Sequence, residues 1–320
     1  MTECFLNVPP KISKKIDERL DYLRKKSTDI GYRFVGRHSA IKVCNWTKQC
    51  IRGKDVCYKN KFYGINSHQC IQMSPTVFFC TFNCRHCWRN FDFILPRKNE
   101  KWDNPDDIID KCIEEQTKYL QGFGGSSIVD KKTFKEAMNP KHFAISLAGE
   151  PTLYPKLPKF IDNILDRKMT AFLVTNGTNP EMIKKLIDHQ PTNLYVSLYG
   201  TNKEMLQKTS RPMIKNSWSK IMKSIKLLDK FDNDTVIRLT LSKGLNFEDP
   251  KGYAKIIESS GAKYVECKAF MAVGGSRRFM GYSQMPLHEE ITEFAKKLED
   301  LTSYKIANEK KESRVVLLSR

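Results

Sequence analysis

Thr76-Val77-Phe78-Phe79-Cys80-Thr81-Phe82-Asn83-Cys84-Arg85-His86-Cys87-Trp88-Arg89, TVFFCTFNCRHCWR at 76–89, is the stretch on which the fold turns. Its apolar, β-branched start reads as a strand. Three cysteines in a C-x3-C-x2-C pattern, Cys80, Cys84 and Cys87, stand at the strand's carboxyl end. Thiolates at this spacing can hold three irons of a four-iron cubane and leave the fourth open to a small molecule, whereas electron-transfer ferredoxins cover every corner. Zinc is the structural alternative, held by these cysteines with His86 or with a borrowed cysteine. His86 adjoins Cys87, which makes the version using both cramped.

Outward from the motif, strand and helix patterns alternate. HFAISLAG (142–149), MTAFLVTNG (169–177), NLYVSLYG (193–200), DTVIRLTLSKG (234–244) and AKYVECKAFMAVGG (262–275) read as strands, with helical patterns between them. Together with TVFFC they place strands near 77, 145, 172, 196, 238 and 266. Mostly continuous apolar strands of this kind are covered by helices and pair in parallel. RVVLLS near the terminus reads as an added edge strand, 11–30 as a helix, and KNEKWDNPDD and 200–217 as surface insertions. Polar residues close several strands, namely Gly149-Glu150, Thr175-Asn176, Ser197, Lys243 and Cys267. Active sites of parallel α/β folds gather at those ends.

The chain of 320 residues carries 55 Lys+Arg against 36 Asp+Glu, a formal charge of +19. Such an excess suits a polyphosphate partner, although a lysine-rich solvated surface gives the same balance. No apolar run has the length of a membrane span and MTECFLNVPPKISKK lacks a signal-peptide core, so a cytoplasmic protein with no membrane partner is expected.

Ten cysteines fall at 4, 44, 50, 57, 70, 80, 84, 87, 112 and 267, seven of them between 44 and 87. In a reducing compartment that clustering favours metal or iron–sulfur ligation. Cys44, Cys57 and Cys70 are spaced by 13 and 13 residues in a polar segment with little apolar core to bury them. They could hold a second cluster with an open iron, Cys50 could substitute as a ligand, and plain buried thiols remain the bland reading. Lys59 and Lys61 follow the middle cysteine. A lysine in a dry pocket has its ammonium form disfavoured, and the neutral amine attacks ketones. Either lysine could serve, and either could be a solvated charge.

C-x3-C-x2-C resembles the signature of radical S-adenosylmethionine enzymes, with His86 where an aromatic more often stands. AGEP at 148–151 looks like that superfamily's Gly-Gly-Glu segment with Ala148 replacing the first glycine, and TNGT at 175–178 ends the third strand. The resemblance implies a partial (βα)6 TIM-like barrel, an α/β fold, with Gly149, Glu150, Asn176 and Ser197 binding S-adenosyl-L-methionine. The cysteine trio, CYKNKFYGI at 57–65 and CTFNCRHCW are together similar to the 4-demethylwyosine synthase family over nearly the whole chain.

That resemblance implies two [4Fe–4S] clusters, one on Cys80, Cys84 and Cys87 and one on Cys44, Cys57 and Cys70, with Lys59 engaging pyruvate. The implied substrate is tRNA-Phe carrying N1-methylguanosine beside the anticodon, and the electron donor is an external flavodoxin or ferredoxin-like protein. The expected division is 1–75 for the N-terminal helix and second-cluster segment, 76–285 for the barrel and 286–320 for a C-terminal helix and edge strand. Trp88, Phe91, Phe93 and Tyr63 are candidates to stack on bases, and Arg277 and Arg278 to meet the RNA backbone.

Overall fold

A computed structural model of the protein describes residues 5–6, 9–89 and 93–320, so Cys4 and Phe91 lie outside the described residues. The chain forms two compact units, Met1–Cys80 with Phe93–Leu173, and Thr81–Asp92 with Val174–Arg320.

In the first unit, α1 (Pro10–Asp29) starts on a proline, whose missing N–H costs nothing in a first turn. Next come the short strands β1 (Arg33–Phe34) and β2 (Ala40–Ile41) and the helices α2 (Asn45–Ile51) and α3 (Tyr58–Tyr63). The segment 31–75, which has little periodicity, is thus built from short elements. β3 (Cys70–Ser74) pairs antiparallel with β2 and parallel with β4 (His142–Ile145). β4 pairs parallel with β5 (Thr170–Thr175), aligning Met73, Ile145 and Leu173 in one row. Around these strands lie α4 (Pro105–Gln121), α5 (Lys131–Ala137) and α6 (Leu157–Asp166). Asn104 caps α4 by accepting from the Asp106 amide, and Cys112 is fully buried on that helix.

The expected strand at 76–80 is replaced by β3, a few residues earlier. Pro75 lacks an N–H, and Ser74 Oγ accepts the Thr76 amide at 3.0 Å. The chain therefore turns, closing Phe79 N to Thr76 O at 2.9 Å, and only a single bridge joins Phe79 to Ile94. Val77, Phe78 and Phe79 are apolar because they are core residues, 0–3% exposed. The stretch 98–107 is also more than a surface insertion. His38 Nε2 accepts the Asp103 amide at 2.8 Å, and Tyr154 OH donates to the Asp103 carbonyl at 2.8 Å.

In the second unit, α7 (Pro180–Lys185) precedes β6 (Asn193–Leu198), which pairs parallel with β7 (Asp234–Leu241). α8 (Lys203–Ser210) and α9 (Ser217–Ile225) form the crossover between them, so 200–217 contains a helix and the start of another. α10 (Pro250–Glu258) leads to β8 (Tyr264–Ala269), again parallel. α11 (His288–Leu301), β9 (Lys305–Lys310) and β10 (Val315–Ser319) finish the chain. β10 is not an edge strand, because it lies antiparallel between β8 and β9. Its apolar side chains need cover on both faces, whereas β9, mostly polar and alternating exposed with half-buried residues, tolerates the edge.

Strand alternation sorts the side chains of this unit. Ser197, Arg238 and Glu266 share one row, and Leu198, Leu239 and Cys267 the next. Cys267 therefore belongs with the apolar face, 0% exposed, and does not close a strand toward a polar mouth.

Candidate active site

Cys44 and Cys57 occupy equivalent places, as the residues preceding α2 and α3, with φ/ψ of −64/145 and −62/146. A helix start presents unpaired N–H groups and positive dipole to whatever precedes it. The amides of Trp46 and Thr47 accordingly engage the Cys44 sulfur. Burial, and next the neighbouring Cys57, raise the Cys44 thiol, and burial pushes Cys70 up to about 12. Lys59 acts in the opposite sense on both cysteines, so the trio and this lysine share one electrostatic environment.

Lys59 is 7% exposed, with its Nζ 4.7 Å above the Phe172 ring, whereas Lys61 faces solvent. The structure thus separates two lysines that the sequence leaves equivalent. Cys50 turns elsewhere, its Sγ 3.4 Å from His68 Nδ1, and His68 Nε2 lies 2.9 Å from Glu136 Oε2. Among the described residues no three His, Cys, Asp or Glu side chains stand gathered as a ready metal site. The donor set nevertheless fits an iron–sulfur centre. Three thiols share a charge environment, and backbone amides already favour the thiolate of the first.

In the turn that follows β4, Gly149 has φ +70, and a Cβ there would sit 1.9 Å from the Thr76 carbonyl oxygen and 2.5 Å from that of Phe79. Glycine is required both for the left-handed conformation and for the contact. The adjoining Glu150 amide donates to Phe79 O at 2.8 Å, fixing this segment against the turn that leads into Cys80. The buried Glu150 carboxylate accepts from the Thr152 amide at 3.1 Å and hydroxyl at 2.6 Å. Gly149→Ala is expected to lower unfolding free energy by about 2–4 kcal/mol, measured by denaturant titration. A change under about 0.5 kcal/mol would show that the turn yields freely.

The residues after Cys80 are held by the second unit. Thr81 Oγ1 accepts from Asn176 Nδ2 at 2.9 Å and meets Thr178 Oγ1 at 2.8 Å, while Asn176 Oδ1 accepts the Thr178 amide at 3.1 Å. Asn176 thus anchors the cysteine loop. Further along, Arg85 N donates to Thr209 O at 3.0 Å and Arg211 Nε to Asn83 O at 2.7 Å. Gly275 N donates to Trp88 O at 2.7 Å, and Gly274 has φ +55 with no room for a Cβ beside that carbonyl.

Arg89 Nη1 donates to Cys87 Sγ at 2.7 Å. His86 packs against Tyr199, ring centroids 4.5 Å apart, and among the described residues neither ring nitrogen has a hydrogen-bond partner. Burial lowers its pKa to about 4, so the imidazole is neutral near pH 7 and serves as an aromatic plate. Thiols with a cationic donor beside them, in a loop fastened at both ends, are a donor set suited to a cluster.

Ser197 is buried on β6 beside Arg238, which donates from Nε to Glu266 at 2.9 Å and lies 4.5 Å over the Tyr195 ring. A charge in the middle of DTVIRLTLS is the sequence signal that would have found this pair. Arg89 and Thr81 carry no such signal. Of the stacking candidates, Phe93 is buried, 5% exposed, and Tyr63 packs on Phe172. Arg277 and Arg278 are exposed and lie over Tyr282 and Phe279.

The family model for the Radical SAM superfamily matches residues 74–257. Fold and motif thus define a radical SAM protein with the partial (βα) barrel, mixed sheet and flanking helices of that class. A second model, for wyosine base formation, matches 259–320. The chain is 44% identical over 293 residues to the S-adenosyl-L-methionine-dependent tRNA 4-demethylwyosine synthase of Pyrococcus abyssi, spanning 90% of this chain and 86% of that one. The protein of the same description from Methanocaldococcus jannaschii is 36% identical over 294 residues, 89% and 91% of the two chains. A solved structure of TYW1 with a lysine–pyruvate adduct bound matches with TM-score 0.83 at 34% identity, over 98% of this chain and 96% of that one. The chain belongs to the 4-demethylwyosine synthase family.

Proposed function

We propose that this protein is a tRNA-modifying radical SAM lyase of the wybutosine pathway. It condenses N1-methylguanosine at position 37 of tRNA-Phe with pyruvate to form the tricyclic 4-demethylwyosine, keeping two pyruvate carbons and losing the carboxylate carbon. The observation that carries the reading is Lys59, a buried lysine sharing the environment of Cys44 and Cys70.

Cys80, Cys84 and Cys87 hold one [4Fe–4S] cluster, and Cys44, Cys57 and Cys70 a second. When bound, the first cluster and S-adenosyl-L-methionine supply one-electron chemistry and a hydrogen-abstracting radical. Gly149 gives the backbone its close approach, and Glu150, Asn176 and Ser197 orient the cofactor. The Lys59 amine adds to the pyruvate ketone and expels water, leaving a Schiff base that fixes the keto acid. The N1-methyl carbon, once it has lost a hydrogen atom, would bond to C2 of that imine as the C1–C2 bond breaks and C1 leaves with the unpaired electron as a carbon dioxide radical anion. Attack of the guanine's exocyclic nitrogen on the two-carbon imine that remains would then expel the Lys59 amine and close the ring.

The segment 1–75 serves as the second-cluster module, 76–285 as the barrel and 286–320 as a packed extension. The one-electron chemistry draws on an external donor of flavodoxin or ferredoxin type. A reducing cytoplasm suits the nine free cysteines among the described residues, and none of the described helices is long and apolar enough to cross a membrane.

The test is anaerobic incubation of the reconstituted protein with methylated tRNA, S-adenosyl-L-methionine, reductant and carbon-labelled pyruvate. Label from C2 and C3 should enter the base and label from C1 should not. An RNA without label would reject the pyruvate chemistry. Reconstituted protein should carry about eight irons and eight sulfides per chain, falling to about four of each when Cys44, Cys57 and Cys70 are all alanine. An unchanged count in that variant would remove the second cluster from the proposal.

A further inference from the structure

Between α8 and α9 the second unit opens a cleft of about 410 Å³. Its floor includes the buried Leu206 and Ile214, and its walls include Trp218, Gln207, Lys203 and Lys215. Both lysines and Gln207 are exposed and Trp218 is half-buried. Among the described residues neither lysine is paired with a carboxylate. The surrounding sequence from 203 to 223 carries Lys203, Lys208, Arg211, Lys215, Lys220 and Lys223 against Glu204 alone. An aromatic wall, an apolar floor and unpaired cations at the mouth describe a place for a flat apolar ring attached to an anion. The volume lies in the range of small-ligand sites.

The cleft is continuous with a second feature. Pro212 lines it, and the preceding Arg211 lies 4.4 Å over Phe279, an exposed aromatic also covered by Arg278. Arg211 is bonded through Nε to the carbonyl of Asn83, which precedes Cys84. A strand of nucleic acid lying along these cations would be registered against the cysteine loop.

We propose that this cleft binds one nucleotide of the substrate RNA other than the nucleotide modified, its base against Trp218 and its phosphate drawn to Lys203 and Lys215. The inference rests on the tRNA reading above and adds a subsite to it. Base–aromatic stacking tolerates any base, so the pocket fixes the strand's position without reading its sequence. Lysines supply point charge to a phosphate, and each phosphate neutralised releases counterions.

The experiment measures binding of methylated tRNA to the full chain by fluorescence anisotropy across a salt series, for wild type, Trp218→Ala, Trp218→Phe and Lys203→Gln/Lys215→Gln. Trp218→Ala should weaken affinity by about ten-fold or more, and Trp218→Phe should recover most of that loss. The double lysine variant should make the dependence of log K on log salt shallower by about one to two, with unchanged thermal unfolding. The lysines are exposed, so this variant stays informative if Trp218→Ala fails to fold. Wild-type binding with unaltered affinity and slope in the variants would overturn the subsite and leave the tRNA reading standing. A wild type that binds no tRNA would overturn that reading itself.

Discussion

Cys87→Ala is expected to form neither 5′-deoxyadenosine nor modified base, a loss of at least about 10⁴-fold in each. Three thiols at C-x3-C-x2-C leave no spare protein ligand for a cubane, and alanine offers no donor. Arg89, which donates to the Cys87 sulfur at 2.7 Å, would be left facing a methyl group. Iron content should fall by about half, because the other cysteine trio shares no ligand with the 80–87 motif. Liquid chromatography of the nucleoside products and iron analysis on one preparation read both outcomes. Wild-type deoxyadenosine from this variant would remove the 80–87 motif from the chemistry.

Lys59→Ala should divide the two products. Covalent capture turns an encounter with dissolved pyruvate into a reaction with a tethered one, so 4-demethylwyosine formation should drop by about 10³-fold or more. Deoxyadenosine should still appear, since Lys59 is assigned to pyruvate and not to S-adenosyl-L-methionine. Borohydride reduction in the presence of pyruvate should add a three-carbon adduct to wild type and none to the variant, by intact mass. Lys61→Ala is the matched control. Its side chain faces solvent, so adduct and product should stay near wild type. An adduct persisting in Lys59→Ala would assign the amine elsewhere.

The sequence made the alternating αβ pattern legible because buried parallel strands are written as continuous apolar runs. β4, β5, β6, β7 and β8 fall where such runs occur. The same signal misplaced the first strand. Val77, Phe78 and Phe79 are apolar to fill the core from a turn, and one run cannot distinguish a strand from a packed turn. β10 was visible as a strand but not as an interior one, since partners from opposite directions leave no local mark.

Cysteine spacing marked the candidate site clearly, yet Cys50 could be set apart from the trio only by its hydrogen bond to His68. Lys59 and Lys61 differ only in which side of α3 meets the protein, a distinction that six residues of sequence do not encode. Asn176 was read as a cofactor contact, and the network joining it to Thr81 depends on residues 95 apart.

The two residues before Glu150 are under unequal steric law. Ala148 is accommodated with 2% exposure and its φ is not positive, while position 149 combines φ +70 with a carbonyl 1.9 Å from any added carbon. Natural drift can therefore rewrite the first letter of the Gly-Gly-Glu signature and leave the second untouched. A saturation library across 148 and 149, selected for folded protein, should return several small residues at one codon and glycine alone at the other. Homology searches that demand both glycines would discard functional relatives of this kind.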